Sequence, residues 1–259
     1  MEVTVIATQK GGAGKTTTAH NLAAAISLIT GKRPLLIDLD PQGNLTTSCG
    51  YHKDELSKTI LNFFEGSPLE AVALADDRFD LIPSNGWTAD LEIKLVTATS
   101  RETVLRRQLA KVAKKNIYDH VILDCPGNLG LITINALVAA SRVLVPVQCE
   151  FHALGGLEDL QETIGELQEA FNLSFGTFEA LATFFDKQLT LARDVRNELR
   201  KRVGDRLYET PIRRRVALAE APSFGEDIFD YGGSKGAVDA RNDYRAFAME
   251  FLRRGGKDG

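Results

Sequence analysis

The chain has 259 residues, 44% of them hydrophobic and 25% charged, a balance typical of folded proteins that excludes global disorder. Its formal charge of −4 argues against a globally basic nucleic-acid binder while leaving room for a local basic patch. Three widely spaced cysteines, Cys49, Cys125 and Cys149, suit reduced thiols, the four histidines lack metal-ligand spacing, and no apolar run is long enough to span a membrane.

In chain order, a short apolar strand is expected at Val3 to Ala7, then a glycine-rich turn and a helix from about Gly14 to Ile29. Pro34 to Asp38 and Phe79 to Ile82 read as strands, and a helical pattern runs from about Ala89 to Lys115. Tyr118 to Asp124 is a strand, Ile132 to Ala140 a helix and Arg142 to Val147 a strand. An amphipathic helix at Leu154 to Phe171, a strand at Glu179 to Phe185, a helix at Leu191 to Val203 and a last helix at about Asp239 to Arg253 complete the pattern. Strands that are continuous apolar runs, alternating with helices, predict an α/β fold with one doubly wound, mostly parallel sheet and helices on both faces. The whole chain, 1–259, is expected to be a single domain with a short tail from about residue 254. Ligands of such sheets sit at the carboxyl ends of the strands, where three motifs fall here: 9–17, 38–44 and 124–130.

The first motif is Lys10-Gly11-Gly12-Ala13-Gly14-Lys15-Thr16-Thr17. Between a strand and a helix, such glycines let successive backbone N–H groups turn toward phosphate oxygens, and the helix adds its positive end. Lys15 is expected to reach the β- and γ-phosphates and Thr16 to offer its hydroxyl oxygen to Mg²⁺. Asp124, closing an apolar strand, is the expected partner of that ion, with Asp38 a further candidate for metal or nearby contacts. Asp40 lies on the loop after Asp38, and a carboxylate near a γ-phosphate can orient and help deprotonate an attacking water.

The loop with its additional lysine resembles the deviant Walker A motif of the MinD/ParA class of P-loop ATPases. Asp38-Leu39-Asp40-Pro41-Gln42-Gly43-Asn44 is similar to the DLDPQGN segment of the ParA (Soj-like) partition ATPases. Asp124-Cys125-Pro126-Gly127-Asn128-Leu129-Gly130 resembles their DCPPSLG, with Gly127 at the second proline, and residues 219–225 resemble their SEAPSFG. Four motifs in order cover nearly the whole chain. The resemblance implies a P-loop NTPase fold, ATP and Mg²⁺ as cofactors, and slow, partner-stimulated hydrolysis. It implies that Lys10 reaches across an ATP-dependent homodimer, making Lys10, Lys15 and Asp40 the catalytic set. The base is expected near Pro211 and Ile212, where the family's proline is displaced. Nonspecific double-stranded DNA and a ParB-like adaptor are the implied partners, in a cytoplasmic, nucleoid-associated setting. A MinD-like membrane switch, or a positioning ATPase for a protein cargo, is the alternative; stable membrane association is not expected, because Phe247, Phe251 and Leu252 read as core.

For the DNA face, Leu191, Val195, Leu199 and Val203 form an apolar stripe at spacing four. Arg193, Arg196 and Arg200 beside it are expected to project together, extended by Lys187, with Arg213, Arg214 and Arg215 as a second cluster. Gln188 stands where many relatives carry an arginine.

Overall fold

The computed structural model describes residues 1–150, 155–173, 177–233 and 235–255. Its elements are β1 (Glu2–Ile6), α1 (Lys15–Thr30), β2 (Leu35–Asp38), α2 (Asn44–Ser48), α3 (Ile60–Phe64), β3 (Leu74–Ala75), β4 (Asp80–Ile82), α4 (Ala89–Thr97), α5 (Val104–Ala113), β5 (His120–Asp124), α6 (Leu131–Ala139), β6 (Arg142–Gln148), α7 (Leu157–Phe171), β7 (Glu179–Thr183), α8 (Thr190–Val203), α9 (Ala217–Glu220) and α10 (Lys235–Gly255). The strands form one sheet in the order β3-β4-β2-β5-β1-β6-β7. All neighbours pair in parallel except the short edge strand β3, which runs antiparallel to β4. The expected doubly wound, mostly parallel sheet is what the chain builds.

Alternate strand residues feed two cores, as the period of two requires. Val3, Val5, Leu35, Ile37, Val121 and Leu123 face the layer of α3 to α8. Ile6, Leu36, Leu81, Ile122, Leu144 and Leu181 face α1, α2, α9 and α10. Phe247 and Phe251 of α10 are buried in this second core, as expected, whereas Met249 is exposed. No helix among the described residues is long and apolar enough to cross a membrane.

Several boundaries differ from the sequence reading. The helical stretch 89–115 is two helices, because Ala98 is extended and Ser100 takes a left-handed φ of 52°. The run Thr97-Ala98-Thr99-Ser100 explains the break, since short hydroxyl side chains compete for backbone hydrogen bonds and weaken a helix interior. The start of the expected helix at Leu154 lies outside the described residues. The last helix continues to Gly255, past the point where a tail was expected, and residues 256–259 lie outside the described part.

The amino ends of the strands are cross-tied by one cation. Arg142, opening β6, donates to Glu179 at 2.7 Å, to Glu2 at 3.2 Å, to the Tyr208 hydroxyl at 2.8 Å and to the Phe251 carbonyl at 3.2 Å. Its guanidinium also lies 3.9 Å from the centre of the Phe251 ring, so β1, β6, β7 and α10 meet at a single side chain.

Candidate functional site

The motif loops converge at the opposite, carboxyl ends. β1 runs into the glycine-rich loop, where Gly12 and Gly14 take φ of 73° and 87°, a left-handed backbone that non-glycine residues adopt only at a cost. The loop then enters α1 at Lys15 without a side-chain cap, so its first N–H groups remain free to face a ligand. Thr183 at the end of β7 donates to the Ala13 carbonyl at 2.9 Å and steadies the loop from behind.

Thr16 donates from Oγ1 to Asp124 Oδ2 at 2.7 Å. Asp124 is 1% exposed, and its other oxygen, Oδ1, is buried without a hydrogen-bond partner among the described residues. Burial, reinforced by the neighbouring Asp38, pushes its carboxyl well above the usual carboxylate range, against the pull of Thr16 and Lys15. An orphaned carboxylate oxygen in so costly a place, beside a threonine hydroxyl and a lysine, fits a divalent cation bound with phosphate.

Asp38 is equally buried but fully engaged. Oδ1 accepts from the Asp40 N–H at 3.1 Å, and Oδ2 accepts from the Thr46 N–H and hydroxyl at 2.9 and 2.8 Å. Desolvation raises its pKa to about 6. These bonds make Asp38 the anchor of the loop that carries Asp40. Asp40 itself is half-buried; its Oδ1 accepts from the Gln42 N–H at 2.9 Å, and its carbonyl accepts from Ser84 Oγ at 2.7 Å.

A cleft of about 920 Å³ runs from Gly11–Thr17 past Asp40 to Gly127 and Ser223. Lys53, which the sequence reading did not single out, also lines it. Lys53 donates to the Gln42 carbonyl and so holds the Asp40 loop from the far side. An adjoining, mostly apolar pocket of about 120 Å³ is bounded by Thr18, Phe184, Ile212, Leu218 and Tyr244. It has the size and character for the flat part of a ligand whose phosphates lie on the loop. Ile212 is there as expected; Pro211 is not among the residues bounding it. Phe184 lines both cavities and takes a left-handed φ of 51°, a strained state that clusters at ligand sites. Only its place directly after a buried strand end could have signalled it. Cys125, next to Asp124, is buried with its thiol pushed well up by desolvation, which suits packing.

Lys10 sits half-buried at the start of the loop, and among the described residues its ammonium has neither an ion pair nor a hydrogen bond. It is not among the residues bounding the cleft of its own chain.

The expected basic face is divided. Arg196 and Arg200 turn to Glu209, at 3.6 and 2.8 Å, so Arg193, Arg196 and Arg200 do not project together. Arg193 is exposed and, among the described residues, its side chain bonds only to the Lys187 carbonyl and Thr190 hydroxyl; Lys187 is exposed. Arg213, Arg214 and Arg215 pair with Asp243, Glu150 and Asp239. The apolar stripe holds at Val195, Leu199 and Val203 but not at its first member, since Leu191 is 47% exposed and Ala192 is buried instead.

Residues 1–176 match a family model described as an AAA domain. The chain is 41% identical over 233 residues to the sporulation initiation inhibitor protein Soj of Bacillus subtilis, covering 89% of this chain and 91% of that protein. It is 37% identical over 234 residues to the chromosome partitioning protein ParA of Caulobacter vibrioides, covering 89% and 87%. Among solved structures it resembles cobyrinic acid a,c-diamide synthase from Mycobacterium smegmatis with bound ATP analogue and magnesium, at a TM-score of 0.83 and 35% identity, covering 100% of this chain and 97% of that one.

Proposed function

The chain belongs to the Soj/ParA family of chromosome-partitioning ATPases, and from that premise we propose that it is one nucleotide-driven DNA-positioning switch over its whole length. ATP lies with its phosphates on Gly11–Thr17 and its base in the pocket bounded by Phe184 and Ile212. Thr16 and Asp124 hold Mg²⁺, which when bound neutralises charge on the phosphate oxygens. Lys15 binds the β- and γ-phosphates. Asp40 orients the attacking water, in a place fixed by Asp38, Ser84 and Lys53 through the loop they grip.

The observation that carries this reading is the pairing of Thr16 with Asp124, whose second oxygen is buried and unfilled. Hydrolysis of this kind is mostly positioning and charge stabilisation. The extra positive charge for the transition state comes from Lys10 of a second copy, which supports an ATP-held homodimer. That dimer binds duplex DNA without reading sequence, and a ParB-like adaptor stimulates the hydrolysis that releases it.

The test is duplex-DNA binding by the Asp40→Ala variant with ATP, with ADP and without nucleotide, over a salt series. ATP-only binding that weakens steeply with salt is the expected result. An ATP dimer that binds no DNA in any state would keep the ATPase and remove DNA as its track.

A further inference from the structure

We propose that the solvent face of α5 is a docking surface for the sugar-phosphate backbone of duplex DNA, a contact that rests on the DNA-binding reading above and relocates much of it away from α8. Arg106, Arg107, Lys111 and Lys114 are all exposed. None has an ion pair among the described residues, in contrast to the largely neutralised arginines of α8 and of 213–215. The neighbouring acids are already matched: Glu65 with Lys94, Glu70 with Lys115 and Glu102 with Arg101. A chain of net charge −4 therefore carries a local block of four unmatched positive charges.

Helix stability accounts for Lys111 and Lys114, which lie at the negative carboxyl end of α5, but not for Arg106 and Arg107. α5 has no acid in its first turn, and Arg106 and Arg107 sit near the positive end of the helix dipole, where cations are unfavourable. Arg107 and Lys111 are a like-charged pair at spacing four, also unfavourable. Residues that oppose local stability on an exposed face point to a partner that compensates them.

The chemistry of that partner follows from what lies between the cations. The apolar side of α5, Leu105, Leu109 and Val112, is buried in the core, and the exposed spaces are Ala110 and Ala113. The face offers no apolar wedge for a bilayer and no aromatic anchor for a protein hot spot. It is a row of long cations extending about 12 Å along the helix and its C-cap, long enough to meet successive phosphates of one strand. α7, in the same helical layer, carries five acids and no base over Leu157–Phe171, which repels a polyanion and keeps it on the α5 side.

The experiment compares wild type with a variant carrying Arg106→Gln, Arg107→Gln, Lys111→Gln and Lys114→Gln, and with the milder Arg106→Gln/Arg107→Gln pair. Each is loaded with ATP and titrated with a random-sequence duplex from low to high salt. DNA-independent ATP turnover is measured alongside as the check on folding. The fourfold variant is expected to lose about tenfold or more in affinity and to lower the slope of log affinity against log salt by about three. The pair should fall between it and wild type, and turnover should hold in both. Unchanged affinity and slope in both variants overturn the α5 surface while leaving the DNA-binding reading intact. A wild type that turns over ATP but binds no DNA overturns both. Loss of binding to vesicles of anionic phospholipid with DNA affinity retained assigns the face to a membrane, and loss of salt-sensitive self-association alone assigns it to the acidic α7 of a second copy; either result overturns the DNA assignment.

Discussion

Asp38 and Asp124 are register partners at the ends of β2 and β5, and they use their carboxylates in opposite ways. Asp38 spends both oxygens on its own chain, whereas Asp124 keeps one oxygen without a partner. Asp124→Asn is therefore expected to weaken the magnesium dependence of ATP binding by about tenfold or more, with little change in nucleotide binding when magnesium is absent. Asp38→Ala strands the Thr46 and Asp40 donors and is expected to cost on the order of 3 kcal/mol of stability. Magnesium titrations of nucleotide affinity, with urea unfolding of each variant, separate the two.

The two loop lysines are expected to differ in kind. Lys15→Ala removes a cation whose charge acts on Asp124 and should abolish ATP binding. Lys10→Ala should leave ADP affinity within about threefold, because Lys10 does not line its own cleft, yet lower turnover about a hundredfold. Calorimetric binding beside phosphate release tests this; equal losses of binding in both variants would contradict a role for Lys10 across an interface.

Asp40→Ala should accumulate an ATP-bound dimer with turnover reduced at least about a hundredfold. Lys53→Met should lower turnover by about three- to tenfold through a loosened Asp40 loop, and Lys53→Arg should recover most of it. Dimer mass in solution and steady-state rates are the measurements. Rapid hydrolysis by Asp40→Ala would remove that residue from the reaction.

On α8 and the turn before it, neutralising Lys187 and Arg193 together is expected to lower DNA affinity more than neutralising Arg196 and Arg200, whose charges are already met by Glu209. The second pair should cost less than about 1 kcal/mol of stability, since Glu209 is largely exposed and solvent screens such pairs. Parallel DNA titrations decide the order.

His20 supplies a pH prediction. It is buried on α1 with its ring edge-on to Phe79 at 5.5 Å, and burial lowers its pKa to about 4. A histidine whose folded value is depressed binds its proton more readily when unfolded. Its contribution is thus complete above about pH 6.5 and is lost as pH falls toward 4. The loss amounts to about 3 kcal/mol. The difference in unfolding free energy between wild type and His20→Leu, measured at pH 7 and pH 4.5, should change by about 2 kcal/mol against wild type at the lower pH, most of that full loss.

Strand ends were the most legible part of the sequence. β2 and β5 each finish an apolar run on an aspartate, and β1 finishes on a glycine-rich turn, so one site could be assembled before any coordinates. Short elements were not legible: Asn44–Ser48 and Ile60–Phe64 are five residues each, too brief for a helical period to show. The charge state of a basic face was hidden for another reason. Arg196 and Arg200 are neutralised by Glu209 and Arg213 by Asp243, partners 9 to 30 residues distant that only the fold brings near. Lys53 and Phe184 belong to no motif, and they enter the site because the loops that carry them close around it.

The tie made by Arg142 gives the sheet unequal ends. At the amino ends a charge-assisted cluster binds β1, β6, β7 and α10 together. At the carboxyl ends Asp38 anchors the Asp40 loop, but the side-chain ties from the strand ends to the glycine-rich loop are single hydrogen bonds, Thr16 to Asp124 and Thr183 to the Ala13 carbonyl. Like a beam fixed at one support, the sheet leaves its free end to swing, and that end carries the nucleotide loops. Amide exchange should record this as a gradient along β1, β6 and β7, with protection greatest beside Arg142 and falling toward the glycine-rich loop. Each cycle of nucleotide capture and release would then reshape only the outer loops, leaving the anchored half as a fixed platform on which successive rounds begin from the same geometry.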